Sequence, residues 1–315
     1  MKQMKNLAVI LILGLFLLPN CFAQNNFPVL KGAYLGQIPP GNTAVLFAPG
    51  LLSDDTHSPL GIAVSPDGKE IFYTLFSGPG KGTIVFTKEE NGKWIKPQAT
   101  HFSGEYQDWD LNLSPDGKTL YFSSFRPASG SAEQKKDADI WFVKKDSKGR
   151  WGKPKNPGSP VNSNMHEVHP TIADNGNIYF FSREGKKQPD IYMSKFINGS
   201  YTKPEKLGDS INTKYNDADP FIAPDESYII FQSKRPGGFG ANDLYISYRK
   251  EDGTWSNSMN MGPKINTEVS DYCGRVSHDG KYLFFSRSKA GTWISDFYWI
   301  DAKIIEDLKP KDLEK

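Results

Sequence analysis

Five short segments concentrate the side chains that could do chemistry: His57-Ser58-Pro59, Asp108-Trp109-Asp110, His166-Glu167-Val168-His169, Asp217-Ala218-Asp219 and Asp271-Tyr272-Cys273-Gly274-Arg275. A histidine can take a proton near neutral pH, and a phenol or a second imidazole can return one. A guanidinium neutralises a carboxylate and so acidifies the carbon beside it. His169 as base, Arg275 as the neutralising cation and Tyr272 or His166 as acid would together serve a β-elimination. In that reaction a uronic acid loses its C5 proton and expels the oxygen at C4. Arg126, Arg183, Arg235 and Arg287 add planar forks suited to carboxylate or sulfate. Trp109 and Tyr272 can stack on sugar rings, while Asp110 and Asp219 can accept from hydroxyls. The partner these residues imply is an acidic oligosaccharide. His57, His166, His169 and Asp110 are candidate ligands for a divalent metal such as Mn²⁺, with the cofactor left open. No nucleophile elbow, Walker loop or zinc-protease motif is present.

These segments meet only if the fold repeats, and the sequence repeats visibly. Ser65-Pro66-Asp67-Gly68 returns as Ser114-Pro115-Asp116-Gly117, then as Ala173-Asp174-Asn175-Gly176, Ala223-Pro224-Asp225-Glu226 and Ser277-His278-Asp279-Gly280. The third residues of these turns lie 49, 59, 50 and 54 residues apart. Each turn is followed by an aromatic run such as Leu120-Tyr121-Phe122, then by a run such as Asp139-Ile140-Trp141. A fourth run is expected around Trp94, Trp151, Tyr201 and Trp255. Aromatic and β-branched runs between turn residues read as strands, and four strands per unit of this length read as a propeller blade. The last unit lacks its fourth strand, which Ala44-Val45-Leu46-Phe47-Ala48-Pro49 can supply from the other end of the chain. The prediction is an all-β, five-bladed β-propeller closed by an N-terminal strand, with no exposed sheet edge.

Aligned on their turns, the first strands carry Val64, Leu113, Ile172, Ile222 and Val276 three residues before the marker, a uniform apolar ring. Six before it stand Gly61, Asp110, His169, Asp219 and Cys273; four before it stand Ala63, Asn112, Thr171, Phe221 and Arg275. Alternation along a strand puts these two sets on one face, at one mouth of the channel. His169 and Arg275 break the repeat pattern there. Cys273 reads as a small packed residue, and Asp108 and Asp217 read as turn caps.

Lys2 and Lys5, an apolar run from Leu7 to Leu18 and Cys21-Phe22-Ala23 describe a signal peptide ending at residue 23. Residues 24–41 are then a lead-in, 42–302 the propeller and 303–315 a tail. A lipid-anchored form through Cys21 fits less well, because Pro19-Asn20 stands where small residues are wanted. The expected location is the periplasm or outside the cell, as a monomer. The chain's charge of +2 includes both leader lysines, so the remainder is neutral. Nothing global then steers it to nucleic acid, and no second apolar span follows.

The turn Ser-Pro-Asp-Gly-Lys, the aromatic strand after it and the Asp-Ile-Trp strand resemble the WD40-like PD40 repeats of TolB-type propellers, over about residues 42–302. The resemblance implies a propeller, commonly of six blades in that family. It includes periplasmic interaction proteins, peptidase propellers and carbohydrate lyases such as oligogalacturonate lyase. The sequence also looks like propellers from polysaccharide-degrading gene clusters of Bacteroidota, which implies ulvan-type sulfated glycans as substrates. The expectation is an exported carbon–oxygen lyase, a dehydratase or polysaccharide lyase. The alternative is a non-catalytic interaction module like TolB, because a fold does not fix a function.

Overall fold

The structure, a computed structural model, describes residues 27–52, 57–127 and 135–313. The segment expected to be a leader, residues 1–23 with Cys21, lies outside the described residues. Five antiparallel sheets follow one another around a central axis. Their innermost strands are Ser58–Val64, Asp108–Leu113, His166–Ile172, Asp217–Ile222 and Asp271–Val276, for blades one to five. The ring closes as predicted: Val45 and Leu46 pair with Trp299 and Tyr298 at the outer edge of blade five.

The turns between first and second strands hold themselves. Ser65 Oγ donates to Asp67 at 2.6 Å, Asp67 accepts from the Lys69 N–H, and Ser65 Oγ accepts from the Glu70 N–H. Ser114/Asp116 and Ser277/Asp279 repeat the arrangement. Gly117 has φ +68°, and a Cβ there would meet Pro66 of the neighbouring turn at 2.9 Å. Only glycine satisfies both the dihedral and that approach.

The outer strands correct one expectation. Trp94 pairs only with Glu89 in a small hairpin, and Trp151 and Trp255 make single bridges. Tyr201 pairs with Phe196 in a separate ribbon. The fourth strands come a few residues after these aromatics, at Gln98–Ala99, Glu205–Lys206 and Met259–Asn260, with a single bridge at Lys155 in blade two. The aromatics fold back over the blades: Trp151 stacks edge-on against Phe72 of blade one at 5.5 Å.

Aromatic and aliphatic clusters between blades form the core. Phe47 of the closing strand is fully buried, its ring 5.1 Å from Phe284 and 5.0 Å from Trp299. The flanking segments pack on the ring too. Tyr34 meets Tyr282 edge-on, and Trp94 Nε1 donates to the Gly32 carbonyl. The short helix Lys303–Asp307 buries Ile304 and Ile305 and accepts a bond from Tyr248 Oη at Ile305. Among the described residues, no helix is long and apolar enough to cross a membrane.

Every innermost strand shifts register midway. At each shift one residue adopts left-handed φ: Gly61, Asp110, His169, Asp219 and Cys273, at +57°, +51°, +58°, +52° and +54°. A non-glycine residue held there costs on the order of 1–3 kcal/mol, and such residues cluster at functional sites. A bulge re-aims its side chain, and four of these five side chains are polar and gather about the axis.

Candidate active site at the polar mouth of the channel

Two of the bulge residues, Asp110 and Asp219, line a cleft of about 410 Å³. Leu60, Phe76 and Trp109 give it apolar walls, and Gln232, Asn242, Tyr272, Ser270 and Ser288 give it polar ones. Asp110 and Asp219 face the cleft, both nearly buried. Beneath them His169 is fully buried, its Nδ1 3.4 Å from an oxygen of each carboxyl. Cys273 Sγ donates to Asp219 at 3.3 Å. Arg275 lies behind the ring, donating to the carbonyls of Pro220 at 2.9 Å and Leu111 at 3.5 Å. Arg275 and Asn112 instead line a cavity of about 100 Å³ within the apolar collar of Val64, Leu113, Ile172, Ile222 and Val276. His278 sits at that end, its Nε2 3.0 Å from the Ser114 carbonyl.

Burial dominates the electrostatics. It pushes His169 down to about 3, with the Arg275 charge adding to the effect, so the imidazole is neutral. It pushes Asp110 up to about 7, although the Arg275 charge works the other way. Burial likewise raises Asp219 and keeps Cys273 a thiol. The Tyr272 phenol is raised by burial and stays protonated.

The structure sorts the residues singled out in the sequence. It brings His169, Asp110, Asp219 and Cys273 together, with Arg275 behind them and Tyr272 and Trp109 in the wall. It corrects the arginines. Arg126, Arg235 and Arg287 pair with the buried Asp108, Asp217 and Asp271 at 2.7, 3.0 and 2.6 Å. They also lie over aromatic rings, as Arg287 does on Tyr298 at 4.3 Å. None of the three lines the cleft, because each acid lies buried one strand away and takes the guanidinium first. Arg183 is exposed, opposite His166 in register, and does not line the cleft either.

The histidines are corrected as well. His169 is sealed under two carboxyls and cannot meet a substrate carbon directly, and Arg275 cannot reach a substrate carboxylate. The imidazole of His166 accepts the Ala138 N–H and packs edge-on against Phe125, with burial lowering its basicity. Of the metal candidates, His57 and His166 stay outside the cluster; His169 and Asp110 are joined instead by Cys273. Cys273 was visible in the ring position shared with Asp110, His169 and Asp219, which is the signal that could have found it. Gln232, Asn242 and Phe76 carried no comparable signal.

No family model matches the sequence, and no curated protein matches it. A structure described as a glycoside hydrolase superposes over 84% of this chain and 92% of its own, with TM-score 0.54 and 10% identity. The endo-arabinase from Bacteroides thetaiotaomicron VPI-5482 does so over 84% of this chain and 98% of its own, with TM-score 0.51 and 12% identity. TolB from Acinetobacter baumannii shares 18% identity over 76% of this chain and 53% of its own, so the chain spans about half of TolB, with TM-score 0.47. At such identities, the likeness to the first two shows a shared propeller fold.

Proposed function

We propose that this chain is a carbohydrate-active enzyme that performs a β-elimination at a uronic acid of an acidic, sulfated oligosaccharide of the ulvan type. The observation that carries the reading is the cleft over Asp110 and Asp219, lined also by Trp109, the Tyr272 phenol and the amides of Gln232 and Asn242. The roles given to His169 and Arg275 in the sequence pass to groups that face the cleft. Asp219 takes the C5 proton, and burial strengthens its ionised form as a base. The C4–O bond breaks as the C4–C5 double bond forms, and Tyr272 Oη donates its proton to the leaving oxygen. Gln232 and Asn242 donate to the substrate carboxylate, with the Arg275 charge below the floor lowering the cost of the carbanion. Trp109 stacks on the sugar.

Hydrolysis is a second reading, favoured by the two carboxyls that flank one imidazole and by the hydrolases among the solved propellers. Paired carboxyls can protonate a glycosidic oxygen and activate water. One assay separates the two. Uronate-terminated oligosaccharides, sulfated and unsulfated, are incubated with the protein while absorbance near 230–235 nm and new reducing ends are followed. Elimination gives the absorbance, roughly where a C=C conjugated to a carboxylate absorbs, and Tyr272→Phe should lower its rate by about 10²-fold or more. New reducing ends without absorbance identify the hydrolase. Neither signal, from a folded protein, leaves the interaction module as the better reading.

A further inference from the structure

The four polar bulge residues do more than floor a cleft. His169 is fully buried with neither ring nitrogen in a hydrogen bond, and Asp110 Oδ1 beside it is also unpartnered. The 3.4 Å approaches of Nδ1 to the two carboxyls lack hydrogen-bond geometry. A buried imidazole normally fixes at least one nitrogen, so this one is arranged for a partner that the protein chain does not supply. We propose that Asp110, His169 and Cys273 form a binding site for one zinc-class divalent cation, its fourth position opening onto the cleft beside Asp219.

The spacing supports this. One ligand atom from each of the three residues lies within 4.8 Å of the others. Zinc bonds of about 2.0–2.3 Å to oxygen, nitrogen and sulfur imply ligand–ligand edges of roughly 3.3–3.7 Å in a tetrahedron. The approach of His169 to Asp110 at 3.4 Å already has that length. Small rotations of side chains whose backbone is pinned at the bulges would bring the third ligand in.

Charge and chemistry agree. Two carboxylates and a thiolate against one guanidinium leave an excess of two negative charges, which a divalent cation cancels. Thiolate with imidazole and carboxylate selects zinc, cobalt or iron over magnesium or calcium, which prefer all-oxygen shells. Three protein ligands with one open position is the pattern of a site whose metal meets a small molecule. The site does not depend on the elimination proposed above, although a cation there would face a substrate carboxylate.

The test uses the full mature chain, stripped with a chelator and titrated with Co²⁺. The expected result is binding of one equivalent, with a near-ultraviolet thiolate-to-cobalt charge-transfer band and protons released to the medium. Zn²⁺ should displace the band and protect Cys273 from a thiol reagent in mild denaturant. Cys273→Ser should remove the charge-transfer band, and His169→Gln should weaken binding at least 10²-fold, while His278→Ala, at the far mouth, should change neither. If the folded wild type binds no cobalt, or shows the same band after Cys273→Ser, the site is refuted. Should the two site variants fail to fold, thiol protection by Zn²⁺ in the wild type still decides. Metal binding without a 230–235 nm product would sink the elimination and leave the site standing.

Discussion

Removing the carboxylate of Asp217 tests whether the arginines at the polar mouth serve the fold. Asp217 is fully buried and accepts from the Thr213 N–H at 2.6 Å, Thr213 Oγ1 at 2.7 Å, Ser233 Oγ at 2.7 Å and Arg235 at 3.0 Å. Asp217→Ala removes the acceptor of all four donors and leaves Arg235, whose side chain is only 15% exposed, with neutral partners alone, Ser258 and the Ile211 carbonyl. Breaking a buried pair by removing one partner costs about 3–5 kcal/mol. The exposed pair of Arg150 with Asp146 at 2.7 Å sets the contrast: such pairs are worth about 0.2–1 kcal/mol. At roughly 2–4 °C per kcal/mol for a chain of this size, Asp217→Ala should melt about 6–20 °C below wild type, and Asp146→Ala within a few degrees of it. Replacing both partners, as Asp217→Leu with Arg235→Met, should recover part of the loss, because no charge is then left unpaired. Urea melts of the three variants measure this. A loss under about 1 kcal/mol for Asp217→Ala would refute the structural role and free Arg235 for a ligand.

Two further outcomes follow from the same frame. Phe47→Ala should destabilise by about 3–5 kcal/mol, since it empties a buried site between Phe284 and Trp299 at the ring closure, while Val45→Ala on the exposed face of that strand should cost well under 1 kcal/mol; paired denaturant melts read the difference. The turn aspartates Asp67, Asp116 and Asp279 are held below the ordinary carboxylate range, because the bonds from Ser65, Ser114 and Ser277 and from the following N–H groups outweigh partial burial, which acts the other way. Their contribution is therefore present above the unfolded value of about 3.9 and is lost as pH falls through the lower folded value. The stability gap between wild type and Asp116→Asn should narrow below about pH 4, and a gap constant from pH 7 to pH 3 would contradict the assignment.

What the sequence discloses depends on whether a residue's role is local. Ser114-Pro115-Asp116-Gly117 closes its turn with its own atoms, so the turn and the blade count are legible from the chain alone. The closing strand is legible because the last repeat is incomplete. The outer strands are not: Glu205–Lys206 and Met259–Asn260 are two residues long, too short for a period, while Trp255 nearby has the composition of a strand without the pairing. The arginines illustrate a second limit. Position places Arg235 at the polar mouth, but only the packing shows that Asp217 lies close enough to hold it. The bulges illustrate a third. Simple alternation puts Asp110 and Asn112 on one face, yet Asp110 reaches the cleft and Asn112 the cavity behind it, because the register shifts between them.

The central ring combines two costs, orphaned buried polar atoms and left-handed backbone. At the collar three positions before each turn, all five blades supply an aliphatic residue, which is the inexpensive way to plug a channel. At the bulge the blades supply a glycine, two carboxyls, an imidazole and a thiol, and an unpartnered buried polar atom costs about 1–3 kcal/mol. Asp110 Oδ1, both His169 nitrogens and Arg275 Nε are such atoms. Four of the five positions add left-handed backbone that a glycine would adopt without strain. Aliphatic residues at this ring would remove the orphaned polar atoms, and glycines would relieve the backbone. Neither would leave any group able to hold a cation or move a proton at the base of a cleft walled by Trp109 and Tyr272. On the proposed reading the ring is where the fold gives up stability for chemistry, and substitutions there should raise melting temperature as they remove the proposed activity and cation binding.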